Sequence, residues 1–341
     1  MLAKLARDLP EGDVLYEPKW DGFRVVVFRD ADELYLQSRD ERPFLRYFPE
    51  LAEPLRAALP ERAVADGEIV IPVGGRLSFD ALQLRLHPAA SRIRKLAAET
   101  PATVILFDLL AVGDLDLRGR PFRERREWLE REIRVNASIL LTPATRDPAR
   151  AQDWFARFEG AGLDGVMVKP ADGMYEAGKR SLIKVKHDRT IDCAVAGFRW
   201  HESGDGVGSL ILALFDSNGS FHQIGVAAGF SARLRRELAE TLEPLRENAW
   251  AGHPWESWAG AERERRPGVQ SRWNAGKDLT WEPVRLELVV EVSANQLSGG
   301  RLRHPAKFVR FRLDRAPAEC RADQLDEAPA EELSRLFGAS G

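Results

Sequence analysis

The apolar positions in the first half of the chain fall into short, separate runs. Val25-Val26-Val27-Phe28 is a β-branched block that predicts a buried strand. Leu34–Arg39 follows a turn at Arg29–Glu33, so the two runs predict a hairpin. Leu45–Leu59 carries Leu, Phe and Ala at helical spacing and predicts one amphipathic helix. Ala65-Asp66-Gly67-Glu68 reads as a turn and an acid opening a strand at Ile69–Ile71. Ser78 is placed to cap a helix, Ala89–Thr100 predicts a basic helix, and Thr103–Leu110 a buried strand. Pro121–Ile133 and Pro148–Ala161 predict two more helices, the second with Trp154, Phe155 and Phe158 inward. Leu163–Pro170 is a further apolar run. In Lys184-Val185-Lys186, strand alternation puts both lysines on one face.

After a linker at His187–Thr190 the pattern changes to short strands: Cys193–Trp200, Ser209–Phe215, Phe221–Ala227, Leu286–Val292 and Phe308–Leu313. One helix, Ser231–Leu245, interrupts them. Short strands with one helix fit a small Greek-key barrel. Gly252–Asp278 is irregular and holds Trp255, Trp258 and Trp273; it reads as a packed insertion, or else as a contact loop. The expected organisation is a first domain at 1–187, a barrel at 188–315, and a tail at 316–341 with no assigned chemistry.

Composition narrows the class. A chain of 341 residues with 44% hydrophobic and 30% charged residues has the make-up of a globular protein of two ordinary domains. Its net charge of −3 gives no global basic field, so contact with a polyanion must use local patches. One such patch exists: Gly299–Arg315 carries six Lys or Arg against one acid, Asp314. Two cysteines, Cys193 and Cys320, cannot make a zinc site alone and suit a reducing cytosol. No apolar run approaches the roughly 20 residues that span a bilayer, and Met1–Asp8 is too short and mixed for a secretory signal. A cytoplasmic protein is expected.

The candidate chemistry centres on Tyr16-Glu17-Pro18-Lys19-Trp20-Asp21-Gly22-Phe23-Arg24. A lysine amine sits beside an Asp-Gly turn that feeds the Val25 strand, a rigid place for a nucleophile. A free lysine has a pKa of about 10.4, and nearby cations or burial are needed to free its lone pair. Arg24 is placed as a phosphate or ribose clamp.

Lys19-x-Asp21-Gly22-x-Arg24 resembles the nucleotide-attachment motif of covalent nucleotidyltransferases: DNA ligases, RNA ligases and capping enzymes. Ser38-Arg39, Asp66-Gly67-Glu68, Phe107, Leu163–Pro170 and Lys184-Val185-Lys186 follow in the order of that family's motifs. Arg303-His304-Pro305, with Phe308, Arg310, Arg312 and Asp314, resembles the sixth ligase motif. Taken together, the chain is most similar to the small bacterial LigC-type ATP-dependent DNA ligases. The resemblance implies an α+β adenylation domain followed by an OB-fold barrel. It also implies ATP as cofactor, AMP carried on Lys19, and Mg²⁺ or Mn²⁺. Lys19, Asp21, Lys184, Lys186, Arg310 and Arg312 are the expected catalytic residues. Glu17, Trp20, Arg24, Arg39, Glu68, Phe107 and Lys169 are expected to bind the nucleotide, with Glu17 reading adenine N6 and Phe107 stacking on the base. Asp164 and Glu68 are expected at the metal; Asp164 replaces the Glu common in DNA ligases. Lys184 and Lys186 would be the cations that activate Lys19.

The implied reaction is nick sealing in DNA repair by a monomer, on nicked double-stranded DNA and with other repair enzymes as companions. The alternatives are an RNA ligase, a capping-type enzyme, or a catalytically silent nick-binding protein. An NAD⁺-dependent ligase would need a four-cysteine zinc module.

Overall fold

The computed structural model describes residues 1–158, 161–186, 190–256, 279–294, 297–298 and 300–325. Its residues group into two units, one built on Met1–His187 and the other on Asp188–Asp326.

In chain order the first unit contains strands β1 (Ala3–Ala6), β2 (Val14–Trp20), β3 (Phe23–Asp30), β4 (Glu33–Ser38), β5 (Arg62–Val70), β6 (Thr103–Val112), β7 (Ile139–Leu141), β8 (Leu163–Pro170) and β9 (Leu182–Val185). Its helices are α1 (Ala52–Ala58), α2 (Phe79–Leu84), α3 (Ala90–Glu99), α4 (Phe122–Glu132) and α5 (Pro148–Arg157). One sheet runs β1-β9-β8-β2, the other β7-β6-β5-β3-β4. The hairpin of β3 and β4 forms with Val25 opposite Ser38. Val25, Val27 and Leu36 on it are fully buried, each contributing about 1.5–3 kcal/mol by leaving water.

Two local expectations fail here. Leu45–Leu59 is not one helix: it breaks into 3₁₀ turns at Leu45–Tyr47 and Pro49–Leu51 before α1. Phe48 lies outside helical dihedrals, and the Pro49 nitrogen has no proton to continue the ladder. The apolar spacing was real, because Phe48, Leu51 and Leu55 are all buried. Asp66-Gly67-Glu68 is not a turn before a strand but the middle of β5. The ladder to β6 shifts register between Asp66 and Gly67, and a Cβ at Gly67 would lie 2.7 Å from the Ile105 carbonyl oxygen. Glycine there permits close strand approach.

The second unit has strands β10 (Thr190–Trp200), β11 (Val207–Phe215), β12 (Phe221–Ala228), β13 (Val289–Ser293) and β14 (Lys307–Phe311), with helix α6 (Ala232–Leu242). The order is β12-β11-β10-β13-β14, antiparallel throughout. Ala306, next to β14, donates to Val226 O (2.8 Å) and accepts from Ala228 N (3.1 Å), which links the two edge strands into a barrel. Phe198, Leu210, Leu212 and Leu238 fill its core. Trp255 is buried there too, its indole donating to Phe221 O at 2.9 Å, so the described start of the Gly252–Asp278 segment is packed. Trp258 and Trp273 lie outside the described residues. Cys320 is buried in the same core and its carbonyl accepts from Phe215 N, so residues 316–325 pack on the barrel. The rest of the expected tail lies outside the described residues. Among the described residues no helix is long and apolar enough to cross a membrane.

Candidate active site

Lys19 lies near the end of β2, where the chain leaves one sheet and, through Asp21 and Gly22, enters the other. The passage is a crossing between sheets rather than a hairpin turn. Its backbone is anchored by Trp20, which is buried among Val70, Trp154 and Phe158 and donates to Thr142 Oγ1 at 2.9 Å. Gly22 allows β5 to come close: a Cβ would sit 2.2 Å from Ile69 O. Gly165 does the same beneath Asp164, with φ at +132° and a hypothetical Cβ 2.0 Å from Val185 O. The register of β8 against β2 shifts between Leu163 and Val166, and a bulge of this kind re-aims a side chain.

These elements enclose a pocket of about 330 Å³ within the first unit, in the crevice between its two sheets. Lys19, Lys184, Arg39, Glu68 and Phe107 line it. Lys19 Nζ donates to Asp164 Oδ2 at 2.6 Å, and Lys186 Nζ reaches the same oxygen at 2.5 Å. Asp164 is nearly buried. Burial, then the Lys186 and Lys19 ammoniums, pull Lys184 below the ordinary lysine value. Glu68 is pushed up to about 8 by burial, against the downward pull of Lys19 and Arg24; Asp21 raises it further. The pocket thus offers an amine, several cations and an aromatic face, which suits a nucleoside polyphosphate.

Residues 1–186 match the family model "ATP dependent DNA ligase domain", and residues 203–315 match "ATP dependent DNA ligase C terminal region". The chain is 52% identical over 336 residues to "DNA ligase C2" of Mycolicibacterium smegmatis, covering 96% of this chain and 94% of that protein. It is 50% identical to "DNA ligase C" of Mycobacterium tuberculosis, covering 98% and 96%. The chain belongs to the ATP-dependent DNA ligases. It is of the small bacterial LigC type, with an adenylation domain followed by an OB-fold. A solved structure titled as a study of Lig E DNA ligases shares the fold at a TM-score of 0.54 and 17% identity, covering 91% of this chain and 98% of that one.

Several side chains expected to touch the nucleotide have protein partners in this ligase. Glu17 is buried and pairs with Lys169 at 2.7 Å; Lys169 also donates to Phe107 O at 3.1 Å. Burial raises the Glu17 pKa, while Lys169 and Arg126 oppose that shift. Glu17 Oε1 and Arg126 Nη1 face each other at 3.8 Å, each without a hydrogen bond. Arg24 is held by Asp66, Nε to Oδ1 at 3.0 Å and Nη2 to Oδ2 at 2.6 Å, and donates from Nη1 to the Met1 carbonyl. Arg39 and Lys184 have no ion-pair partner among the described residues. Arg180, which the motif reading passed over, also lines the pocket; its only signal was a basic pair, Lys179-Arg180, just before β9. Asp66, Tyr175, Asp108 and Arg125 were missed as well, since nothing local marks a buried ion pair.

On the barrel, Arg310 pairs with Glu291 at 2.6 Å. Arg312 grips Asp192 through Nη1 (3.0 and 2.8 Å) and Asp314 through Nε and Nη2 (2.9 and 2.8 Å).

No group of three or more metal-ligating side chains gathers among the described residues. That excludes an all-protein cage among them but fits Mg²⁺, which keeps waters and takes one or two carboxylates plus substrate phosphates. Asp164 and Glu68 carry the oxygen donors such an ion would take, Glu68 once its proton is displaced, and both lie within reach of the Lys19 charge.

Proposed function

We propose that this ligase adenylylates itself on Lys19 with ATP, passes AMP to the 5′-phosphate of a DNA nick, and seals the nick when the 3′-hydroxyl attacks. The observation that carries this reading is the Lys19 amine set in a cation-lined pocket between two sheets and bridged to Asp164.

Phe107 offers the purine an aromatic face, which supplies affinity without choosing the base. The buried Glu17–Lys169 pair stands in the same pocket, with Glu17 Oε1 lacking a hydrogen bond and suited to accept from the adenine amine. Arg24, Arg39 and Glu68 hold ribose and phosphates. The amine of Lys19 attacks the α-phosphate only as the neutral form, so its proton passes to solvent and its ion pair with Asp164 ends. Asp164 keeps Lys186 as a partner through that change. Pyrophosphate departs as the phosphoramidate forms, and Lys184 offsets charge on the transferred group. A divalent ion held by Asp164 and Glu68 would add positive charge at the phosphates. Positioning and electrostatics provide most of the acceleration in such displacements. The same reading assigns Arg310 and Arg312 to the leaving phosphates, which requires them to exchange carboxylates for phosphate oxygens. The basic run around β14 is assigned to the DNA backbone, contact that ignores sequence and weakens with salt. The setting is repair, by a monomer acting in the cytoplasm on the nucleoid.

The test is intact mass after incubation with ATP and Mg²⁺, beside GTP, NAD⁺ and Lys19→Ala. The expected result is a gain of one AMP from ATP alone, absent in the variant, followed by sealing of a nicked duplex. An adduct from GTP moves the reading to capping chemistry. No adduct on stripped enzyme overturns it in favour of a silent binder.

A further inference from the structure

Two aspartates face each other across the ladder of the first unit: Asp66 on β5 is the register partner of Asp108 on β6. Like charges at directly opposed positions repel, yet both are buried. Each has its own arginine. Arg24 takes Asp66 by its fork, and Arg125 takes Asp108 the same way, Nε to Oδ1 at 2.8 Å and Nη2 to Oδ2 at 2.9 Å. Tyr175 joins the two pairs. Its hydroxyl donates to Asp66 Oδ2 at 2.9 Å, and its ring lies 5.9 Å from the Arg125 guanidinium carbon.

Tyr175 belongs to the stretch between β8 and β9, and that stretch is pinned. Tyr175 N donates to Arg118 O at 2.9 Å, and Arg125 Nη1 donates to Gly173 O at 2.9 Å. Burial and Asp66 raise the phenol's pKa, so it remains a donor at every physiological pH. The Arg24 end of this chain reaches the nucleotide pocket, whereas Tyr175 does not line that pocket.

We propose that Tyr175 is a positioning residue for nucleotide binding: by donating to Asp66 and accepting from Arg24 Nη2 at 3.4 Å, it fixes the Arg24 guanidinium at the pocket wall. The inference rests on the adenylylation reading above. Without the hydroxyl, Asp66 Oδ2 keeps only the Arg24 bond, and the Arg24 guanidinium is held by Asp66 and the Met1 carbonyl alone. Ground-state binding then suffers more than the chemical step, because Lys19 and Asp164 are untouched.

The test is the ATP dependence of single-turnover Lys19 adenylylation in wild type, Tyr175→Phe, Arg24→Lys and the double variant, with melting temperatures for each. Tyr175→Phe is expected to raise the half-saturating ATP about three- to ten-fold, the range of one lost hydrogen bond, with the maximal rate within about two-fold. In the Arg24→Lys background the same change is expected to add no further effect, since lysine cannot take the bidentate bond. An unchanged ATP dependence in Tyr175→Phe overturns the proposal. So does an equal rise in both backgrounds, or a loss that simply tracks a fallen melting temperature. Wild-type protein that forms no AMP adduct overturns the adenylylation reading itself, and this inference with it.

Discussion

Lys19 Nζ and Asp164 Oδ2 lie 2.6 Å apart although 145 residues separate them, and Lys186 shares the same oxygen. One nearly buried carboxylate therefore holds two ammoniums, one of them the pocket's Lys19. Asp164→Asn keeps the shape and removes the charge. Adenylylation is expected to slow by about 100-fold or more, the scale of losing one preorganised electrostatic group. Quenched-flow mass measurement reads this, and a rate within three-fold of wild type would remove Asp164 from the mechanism.

Glu68 makes the apo protein's stability depend on pH. Its folded pKa of about 8 lies above the ordinary glutamate value. Between those two values the folded state holds a proton that the unfolded state has lost, so stability falls as pH rises and levels off above about 8. Glu68→Gln carries no such dependence. The variant is expected to match wild type near pH 4.5 and to exceed it by on the order of 2 kcal/mol at pH 8, discounting for partial exposure. Melting curves at both pH values check this, and parallel curves would show that the carboxyl is not held neutral. Adenylylation is expected to be lost in the same variant.

Gly165 carries Asp164 on a backbone that other residues rarely adopt, with φ at +132°. Gly165→Ala adds a Cβ only 2.0 Å from Val185 O, so β8 and β9 must part. A loss of about 2–4 kcal/mol is expected, together with weakened adenylylation as Asp164 is displaced. Urea denaturation of the apo protein measures the first, and a change below 1 kcal/mol would mean the sheet adjusts freely.

The buried Asp108–Arg125 pair tests the support of the same wall. Arg125→Met leaves a carboxylate buried without its partner, an expected cost of about 3–5 kcal/mol. Adding Asp108→Leu is expected to recover at least half of it, because the uncompensated charge is gone. A double variant as unstable as the single one would show that Arg125 matters through Arg120 O and Gly173 O instead.

The sequence by itself carried the two-part organisation, the α+β first half, the barrel, and the motif residues Lys19, Arg24, Arg39, Glu68, Phe107 and Lys184 that the structure brings to one pocket. Those follow from residue type at short spacing: period-two runs make strands, and Lys19 with Asp21, Gly22 and Arg24 is recognisable within six positions. Local spacing also misled. Asp66-Gly67 and Asp21-Gly22 look like turns, but their glycines answer to carbonyls of neighbouring strands, Ile105 O and Ile69 O, which no local pattern reveals. Only the tertiary structure decided which charges face one another. Glu17 finds Lys169, Arg24 finds Asp66, Tyr175 finds Asp66 and Arg312 finds Asp192, across 42 to 152 positions. Burial makes such pairing obligatory, because an unpaired charge costs too much away from water. Partner choice then depends on which strands adjoin, and that is set by the sheets as a whole.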